Sequence, residues 1–65
     1  MNIQLNGKPQ ATSASTLEQL LVEAGFASKT IATAVNGSFV PQTLRAQHEL
    51  ADGDQIEVLA PMQGG

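Results

Sequence analysis

The sequence predicts an α+β roll in which one main helix packs on one face of a five-stranded sheet. Only one segment has apolar residues at helical spacing, whereas several short segments show the alternation or the β-branched residues of strands. Two Asn-Gly pairs between such segments are strong signals for tight β-hairpins. Because one helix cannot cover both faces of the sheet, we expect the other face to be open to water or to a partner.

The chain begins with a predicted hairpin. Apolar and polar residues alternate over residues 1–5, which is the period of a half-buried strand. Asn6-Gly7 then supplies the two positive φ angles that a type I′ turn requires. Residues 8–12 are predicted to form an edge strand, since Pro9 is tolerated where no ladder donor is needed.

The most regular predicted element is a helix. Four apolar residues fall at i, i+3, i+4 and i+7 and form one stripe: Leu17, Leu20, Leu21 and Ala24. Two residue pairs fit the capping box that opens such a helix: Ser15 with Glu18, and Thr16 with Gln19. Gly25 suits the left-handed residue that ends many helices, and Phe26 can fold back on the last turn.

A second hairpin follows the helix. Residues 30–35 are rich in β-branched residues and are predicted to be a strand. Asn36-Gly37 gives the turn, and residues 38–40 form a short strand that Pro41 ends. Residues 42–49 are polar, and they are predicted to form a loop or a single helical turn.

The last predicted strand spans residues 55–60, after a turn at Asp52-Gly53. Its alternation separates two pairs of side chains, Ile56 and Val58 on one face and Glu57 and Leu59 on the other. If the β-branched pair faces the helix, Leu59 lies on the open face, and Phe39 is expected to share it. Together with Met62, these residues are candidates for docking a partner, although a single exposed leucine is also common on protein surfaces.

Composition excludes several classes of protein. The chain of 65 residues is predicted to be one domain, residues 1–65, too small for a deep catalytic cleft. It has no cysteine, which rules out thiolate chemistry and fits a reducing cytoplasm. There is no secretory signal and no apolar run of about 20 residues, so we expect a soluble, cytoplasmic protein with no membrane partner.

The charge distribution argues against nucleic acid. The net charge is −3, with three scattered cations and two aromatic residues, so no basic patch is present in the sequence. The acidic residues of the last third are Glu49, Asp52, Asp54 and Glu57. They form either an ordinary solvated face or a docking surface for a basic partner.

Residues 61–65 are predicted to form a flexible tail. Pro61 cannot donate to the sheet, and Gly64-Gly65 has the greatest backbone freedom of any dipeptide. The tail is either a frayed end or a functional strand, Gln63-Gly64-Gly65, that threads a narrow channel of another enzyme and presents the Gly65 carboxylate. A carboxylate has no good leaving group, so activation as a mixed anhydride with AMP would have to precede attack by a sulfur or amine nucleophile.

Seven motifs, in this order and spacing, closely resemble the ThiS family of sulfur carrier proteins of thiamine biosynthesis. They are Asn6-Gly7, Thr16-Leu17, Leu20-Leu21, Ala34-Val35-Asn36, Val40-Pro41, the run Gly53-Asp54-Gln55-Ile56-Glu57-Val58, and the terminal Gln63-Gly64-Gly65. The resemblance spans essentially the whole chain. The chain departs from the family pattern at Gln42, where the family often has arginine, at Arg45, where it often has tryptophan, and at Pro61-Met62.

The resemblance implies a ubiquitin-like β-grasp fold with a mixed sheet whose first and last strands run parallel at the centre. It implies that a ThiF-like adenylyltransferase uses ATP to adenylate Gly65. A cysteine desulfurase or another persulfide donor then supplies sulfur, and the Gly65 thiocarboxylate passes it to thiazole synthase. The chain itself would bind no cofactor or metal and would be a substrate of its partner enzymes.

Three other readings remain at this point. A related β-grasp carrier, such as the small subunit of molybdopterin synthase, would use the same tail for another product. A ubiquitin-like interaction module or a protein modifier would use the same fold. A small enzyme is disfavoured, because His48 is the single histidine and no second metal ligand is spaced to help it.

Overall fold

The computed structural model of the chain describes residues 1–26 and 30–60. In chain order the elements are β1 (Asn2–Leu5), β2 (Lys8–Ala11), α1 (Leu17–Glu23), β3 (Ala32–Val35), β4 (Ser38–Val40), a 3₁₀ helix (Gln42–Gln47) and β5 (Gln55–Leu59). The strands form one five-stranded sheet in the order β2-β1-β5-β3-β4. β1 and β5 are parallel, and the other neighbours are antiparallel. The predicted mixed sheet with one α-helix is therefore confirmed, and the predicted tail, residues 61–65, lies outside the described residues.

Four predicted strands are one or two residues longer than the observed ones. The strand predicted for residues 30–35 begins at Ala32, and the one predicted for residues 55–60 ends at Leu59. The strands at residues 1–5 and 8–12 each lose one terminal residue, and β4 agrees fully. Local pattern identifies a strand, but its ends depend on where the neighbouring strand stops pairing.

Both Asn-Gly pairs form the predicted left-handed turns, and both asparagines also bind the central strand β5. The φ angles are 52° at Asn6 and at Asn36, followed by positive values at the two glycines. Asn36 donates its N–H to the Gln55 carbonyl at 2.8 Å and accepts the Gln55 N–H on its side-chain oxygen at 2.9 Å. Asn6 binds β5 in a similar way. Its N–H donates to the Ile56 carbonyl and its side-chain oxygen accepts the Val58 N–H, each at 2.8 Å. The turns therefore extend the sheet ladder on both sides of β5.

The N-terminus of α1 uses one of the two predicted capping pairs. Thr16 is the N-cap, and its hydroxyl accepts the Gln19 N–H at 3.2 Å. The Gln19 side chain reaches back to the N–H and hydroxyl of Ser15, at 2.9 and 2.8 Å. The capping box is therefore formed by Thr16 and Gln19, except that the Gln19 side chain binds Ser15 instead of the Thr16 N–H. The alternative pair, Ser15 with Glu18, is not formed.

The C-terminus of α1 is a Schellman motif. Gly25 has a φ of +90°, the Phe26 N–H donates to the Leu21 carbonyl at 2.7 Å, and the Gly25 N–H donates to Val22 at 3.2 Å. The helix therefore ends at Glu23, and Ala24, predicted as the last residue of the apolar stripe, is its half-buried C-cap.

The core lies between α1 and the face of the sheet that α1 covers. Among the described residues, ten apolar side chains are buried there: Ile3, Ala14, Leu17, Leu20, Leu21, Val35, Val40, Leu50, Ile56 and Val58. Leu17 and Leu20 have no exposed surface, and Ile56 has 1%. The predicted orientation of β5 is thus confirmed, with its β-branched pair toward the helix.

Residues 42–47 are helical, within the segment predicted to be a loop or a single helical turn. They form a 3₁₀ helix in which Leu44, the one large apolar residue, is 49% exposed and Arg45 is only 9% exposed. Arg45 donates from Nε to the Thr33 hydroxyl at 3.0 Å and from Nη2 to the Ile31 carbonyl at 2.7 Å. Thr33 in turn donates to the Val40 carbonyl at 2.8 Å. These bonds let the guanidinium enter the core, because a desolvated charge needs such partners. Among the described residues, no buried side-chain nitrogen or oxygen atom lacks a hydrogen-bond partner.

The loop between β2 and α1 is joined to the end of the helix by Glu23. The hydroxyls of Thr12 and Ser13 donate to the two carboxylate oxygens of Glu23. The hydrogen bond from Thr12, the largest effect, lowers the pKa of Glu23, while partial desolvation opposes it and Ser13 adds to the lowering. A carboxylate in the last helical turn opposes the helix dipole, and these hydrogen bonds offset that cost.

We expect Leu20→Ala to lower the free energy of unfolding by about 2–5 kcal/mol. The core of so small a domain supplies only roughly 3–5 kcal/mol, so the variant should be largely unfolded at ambient temperature. Val22→Ala is the matched control, because Val22 is 60% exposed on the same helix. Urea denaturation followed by circular dichroism measures both. Equal stability of the two variants would show that the described helix orientation is wrong.

Glu23→Gln should change how the stability of the domain depends on pH. The folded-state pKa of Glu23 lies below its unfolded value, so its contribution is complete above the unfolded pKa and is lost as the pH falls through the folded pKa. The variant should therefore be less stable than the wild type at neutral pH, and the difference should shrink in acid. Glu18→Gln removes a charge from the same helix without touching Thr12 or Ser13 and is the control. Thermal unfolding between pH 7 and pH 3 measures the difference, and parallel curves for Glu23→Gln and wild type would contradict the assignment.

Candidate functional site

The face of the sheet that α1 does not cover, called here the open face, carries the two most exposed large apolar side chains among the described residues. Phe39 is 69% exposed and Leu59 is 67% exposed. Strand register places Phe39 opposite Ala34, and Leu59 opposite Ala32, on the same side of the sheet. Phe39, Ala34, Ala32 and Leu59 form a contiguous surface that is called the apolar patch below. The predicted positions of Leu59 and Phe39 on one open face are confirmed.

The apolar patch occupies one half of the open face. Toward β1 the face becomes polar, because Gln4 lies opposite Gln55. The patch therefore belongs to β3, β4 and the end of β5. Leu59 is the last residue of β5, so the patch lies where the chain continues into residues 61–65. Three predicted site residues, Gln63, Gly64 and Gly65, and the docking candidate Met62 lie outside the described residues, and their roles stay predictions.

The four acidic residues in the last third of the sequence lie in different parts of the structure. Asp52 accepts the Asn2 N–H at 2.7 Å, and Asp54 accepts the Ala51 N–H at 2.8 Å. Asp54 also accepts from the Asn36 side-chain amide at 3.0 Å, so these two carboxylates hold the turn that precedes β5. Glu49 makes a single β-bridge with Thr16 beside the start of α1. Only Glu57, which register places opposite Ala34, belongs to the open face.

Neither predicted role, a solvated face or a docking surface for a basic partner, applies to all four acidic residues. Two carboxylates are structural, one lies near α1, and one is on the open face beside the apolar patch. Sequence reasoning could have found the structural pair, since an aspartate at each side of a glycine turn often accepts backbone N–H bonds. It could not have separated Glu57 from the others, because that depends on strand register.

His48 has a role in the backbone hydrogen bonding of the fold. His48 ends the 3₁₀ helix, and its carbonyl accepts the Leu17 N–H at 2.9 Å, which anchors the start of α1. Within residues 1–26 and 30–60, no three His, Asp or Glu side chains are grouped to hold a metal ion. No helix in that part of the chain is long and apolar enough to cross a membrane.

A shallow depression lies on the opposite side of the domain, between α1 and the loop that precedes it. It is lined by Ser13, Ala14, Glu18, Gln19, Val22 and Glu23. The hydroxyl of Ser13 and the carboxylate of Glu23 are hydrogen-bonded to each other there. Because α1 covers the other face of the sheet, this depression and the apolar patch are separate surfaces.

A single helix on one face of a mixed sheet, with parallel first and last strands at its centre, defines the ubiquitin-like β-grasp class of proteins. Within that class the family model of ThiS matches residues 3–65. The chain belongs to the ThiS family.

Known relatives and solved structures agree with this assignment. The sulfur carrier protein ThiS of Thermus thermophilus is 36% identical over 63 residues, covering 97% of this chain and 98% of the relative. Thiazole synthases of Paramagnetospirillum magneticum and Magnetococcus marinus are each 39% identical over 66 residues, but the chain spans only 20% of their length. The crystal structure of the thiamine biosynthesis protein ThiS from Geobacter metallireducens matches with a TM-score of 0.85 at 28% identity, over the full length of both chains.

Proposed function

We propose that this chain is a sulfur carrier of thiamine biosynthesis and that Gly65 is the residue that carries the sulfur. The observation that carries the proposal is the apolar patch at the end of β5, at the point where the chain continues toward Gly65. Membership in the ThiS family supports the same function. A partner that holds the patch would bring the following residues to its own active site.

The proposed chemistry takes place at the Gly65 carboxylate. A ThiF-like adenylyltransferase joins this carboxylate to the α-phosphate of ATP, releases pyrophosphate and leaves an acyl-adenylate. A persulfide, formed by a cysteine desulfurase or another persulfide donor, then displaces AMP through its outer sulfur and forms an acyl disulfide. A thiol of a partner protein attacks the inner sulfur, forms a new disulfide with the donor and releases the Gly65 thiocarboxylate. In this scheme ATP belongs to the adenylyltransferase, and the carrier is a substrate with no bound cofactor. We place these steps in the cytoplasm.

The proposed acceptor of the sulfur is thiazole synthase. A stretch that makes up a fifth of two thiazole synthases is 39% identical to this chain, so a domain of this kind occurs within proteins of that name. This favours thiamine biosynthesis over the molybdopterin pathway. The match to the ThiS of Thermus thermophilus, which covers almost all of both chains, favours a carrier over an interaction module.

Because the domain is small, we assign recognition by the partner to its folded part and the reaction to its tail. Recognition requires a rigid apolar surface, and the strands β3 and β5 provide one. Gly64 and Gly65 have no Cβ, so a channel too narrow for side chains admits them. The activating chemistry can then reside entirely in the partner enzymes.

Extension of the chain by one alanine after Gly65 should abolish thiocarboxylate formation and leave the melting temperature unchanged. The extension blocks the reacting carboxylate and leaves every residue of the described core, from Ile3 to Val58, in place. Intact-mass spectrometry after incubation with ATP, a ThiF-like adenylyltransferase and a sulfur donor distinguishes free acid, adenylate and thiocarboxylate. An alanine added before Met1 is the control for changed length, because β1 runs parallel to β5 and its start therefore lies at the opposite end of the sheet from the end of β5. Sulfur transfer from the extended chain without prior trimming would refute the proposal.

Leu59→Arg should slow adenylation of Gly65 severely and barely change thermal stability. Leu59 is two-thirds exposed, so its replacement leaves the core intact, but a charge in the apolar patch opposes docking of an apolar partner surface. Val22→Arg introduces the same charge at a similarly exposed apolar position on α1 and is the matched control. Pyrophosphate release measures adenylation. A normal rate for Leu59→Arg would remove the docking role, and a collapsed melting temperature would assign Leu59 to the core.

A further inference from the structure

Glu57 is the acidic residue that strand register places beside the apolar patch. It lies opposite Ala34, which in turn lies opposite Phe39, so the three residues form one row across β5, β3 and β4. Leu59 follows two residues later on the same strand, about 7 Å away. A partner surface that covers Phe39 and Leu59 must therefore also cover Glu57.

Covering an ionised carboxylate is unfavourable unless a cation or several hydrogen-bond donors replace its water. Two cationic side chains belong to the described residues, and neither lies on the open face. Lys8 is opposite Leu5, on the helix-covered side, and Arg45 is buried with its donors on Thr33 and Ile31. The described part of the chain thus offers Glu57 no cationic side chain on the open face, and a partner can supply one.

The shape of the row favours arginine over lysine. Phe39 and Glu57 are separated by one strand, hence by about 10 Å between their backbones, and Ala34 between them is a small residue. The planar guanidinium can lie over Ala34, with one edge paired to the Glu57 carboxylate through two hydrogen bonds. The same plane can stack on the exposed Phe39 ring, which the compact ammonium of lysine does less well.

We propose that the adenylyltransferase carries an arginine that pairs with Glu57 and packs over Ala34 against Phe39. This inference rests on the proposed function and adds the chemistry by which the partner recognises the carrier. Glu57 acts in recognition, remote from the reacting carboxylate. The pair supplies charge complementarity within an apolar contact and sets the orientation of the carrier on the enzyme.

The test measures adenylation kinetics as pyrophosphate release, with ATP saturating and the carrier as the varied substrate. Glu57→Gln should raise the KM for the carrier about tenfold with little change in kcat, because binding is lost and the reacting groups are untouched. Glu57→Lys should raise it further, since it places two cations together. The KM of the wild type should rise with ionic strength, and that of Glu57→Gln should rise much less.

The controls separate recognition from net charge and from folding. Glu18→Gln removes the same charge from an exposed position on α1, on the other side of the sheet, and should leave the KM near that of wild type. Melting temperatures of all variants should agree, because Glu57 is exposed. An unchanged KM for Glu57→Gln, or an equal rise for Glu18→Gln, would overturn the inference and leave the carrier function standing. Absence of adenylation in the wild type would overturn both.

Discussion

The parallel pairing of β1 with β5 is the constraint on which the rest of the structure depends. It brings the first and last strands to the centre of the sheet, where Gln4 lies opposite Gln55 and Leu5 opposite Ile56. Every other strand then adds outward, and the one α-helix has a single continuous face to cover. The same pairing places the end of β5 between two supporting elements, the Asn6-Gly7 turn and the start of β3. The segment that leads to Gly65 thus begins at the best-supported strand of the domain.

A domain of this size has a small apolar core, and hydrogen bonds from its polar side chains also stabilise the fold. Asn6 and Asn36 each form a tight turn and also bind β5. Asp52 and Asp54 hold the turn before β5 through backbone N–H groups. Arg45 joins the 3₁₀ helix to β3 from within the core. Because these contacts occupy the polar groups near β5, the side chains of its open face remain for recognition.

Recognition and chemistry are separated in the proposed carrier. The open face offers a rigid apolar patch with one carboxylate beside it, and the reacting group lies on the segment that follows. Rigid presentation lowers the entropic cost of docking, while glycines suit a segment that must enter another active site. A small domain can perform both tasks because it is not required to build a catalytic pocket.

The sequence by itself determined what local geometry controls. Hairpin turns with two positive φ angles, the Thr16 cap, the Gly25 terminator and the burial of alternate residues in β5 all follow from neighbours within a few positions. Those local patterns also placed Leu59 on the open face, and the series of motifs indicated the family. The outcome for the Gly65 tail stays a prediction, since it lies outside the described residues.

Only the tertiary structure decided which residues meet across the sheet. That Phe39, Ala34 and Glu57 form one row depends on the register of three strands, and a slip by one residue would send each side chain to the opposite face. That Arg45 is buried while Leu44 is exposed depends on Thr33 and Ile31, which lie more than ten residues away and supply the acceptors. Periodicity describes one element at a time, whereas burial of a charge and the composition of a surface depend on partners brought together by the fold.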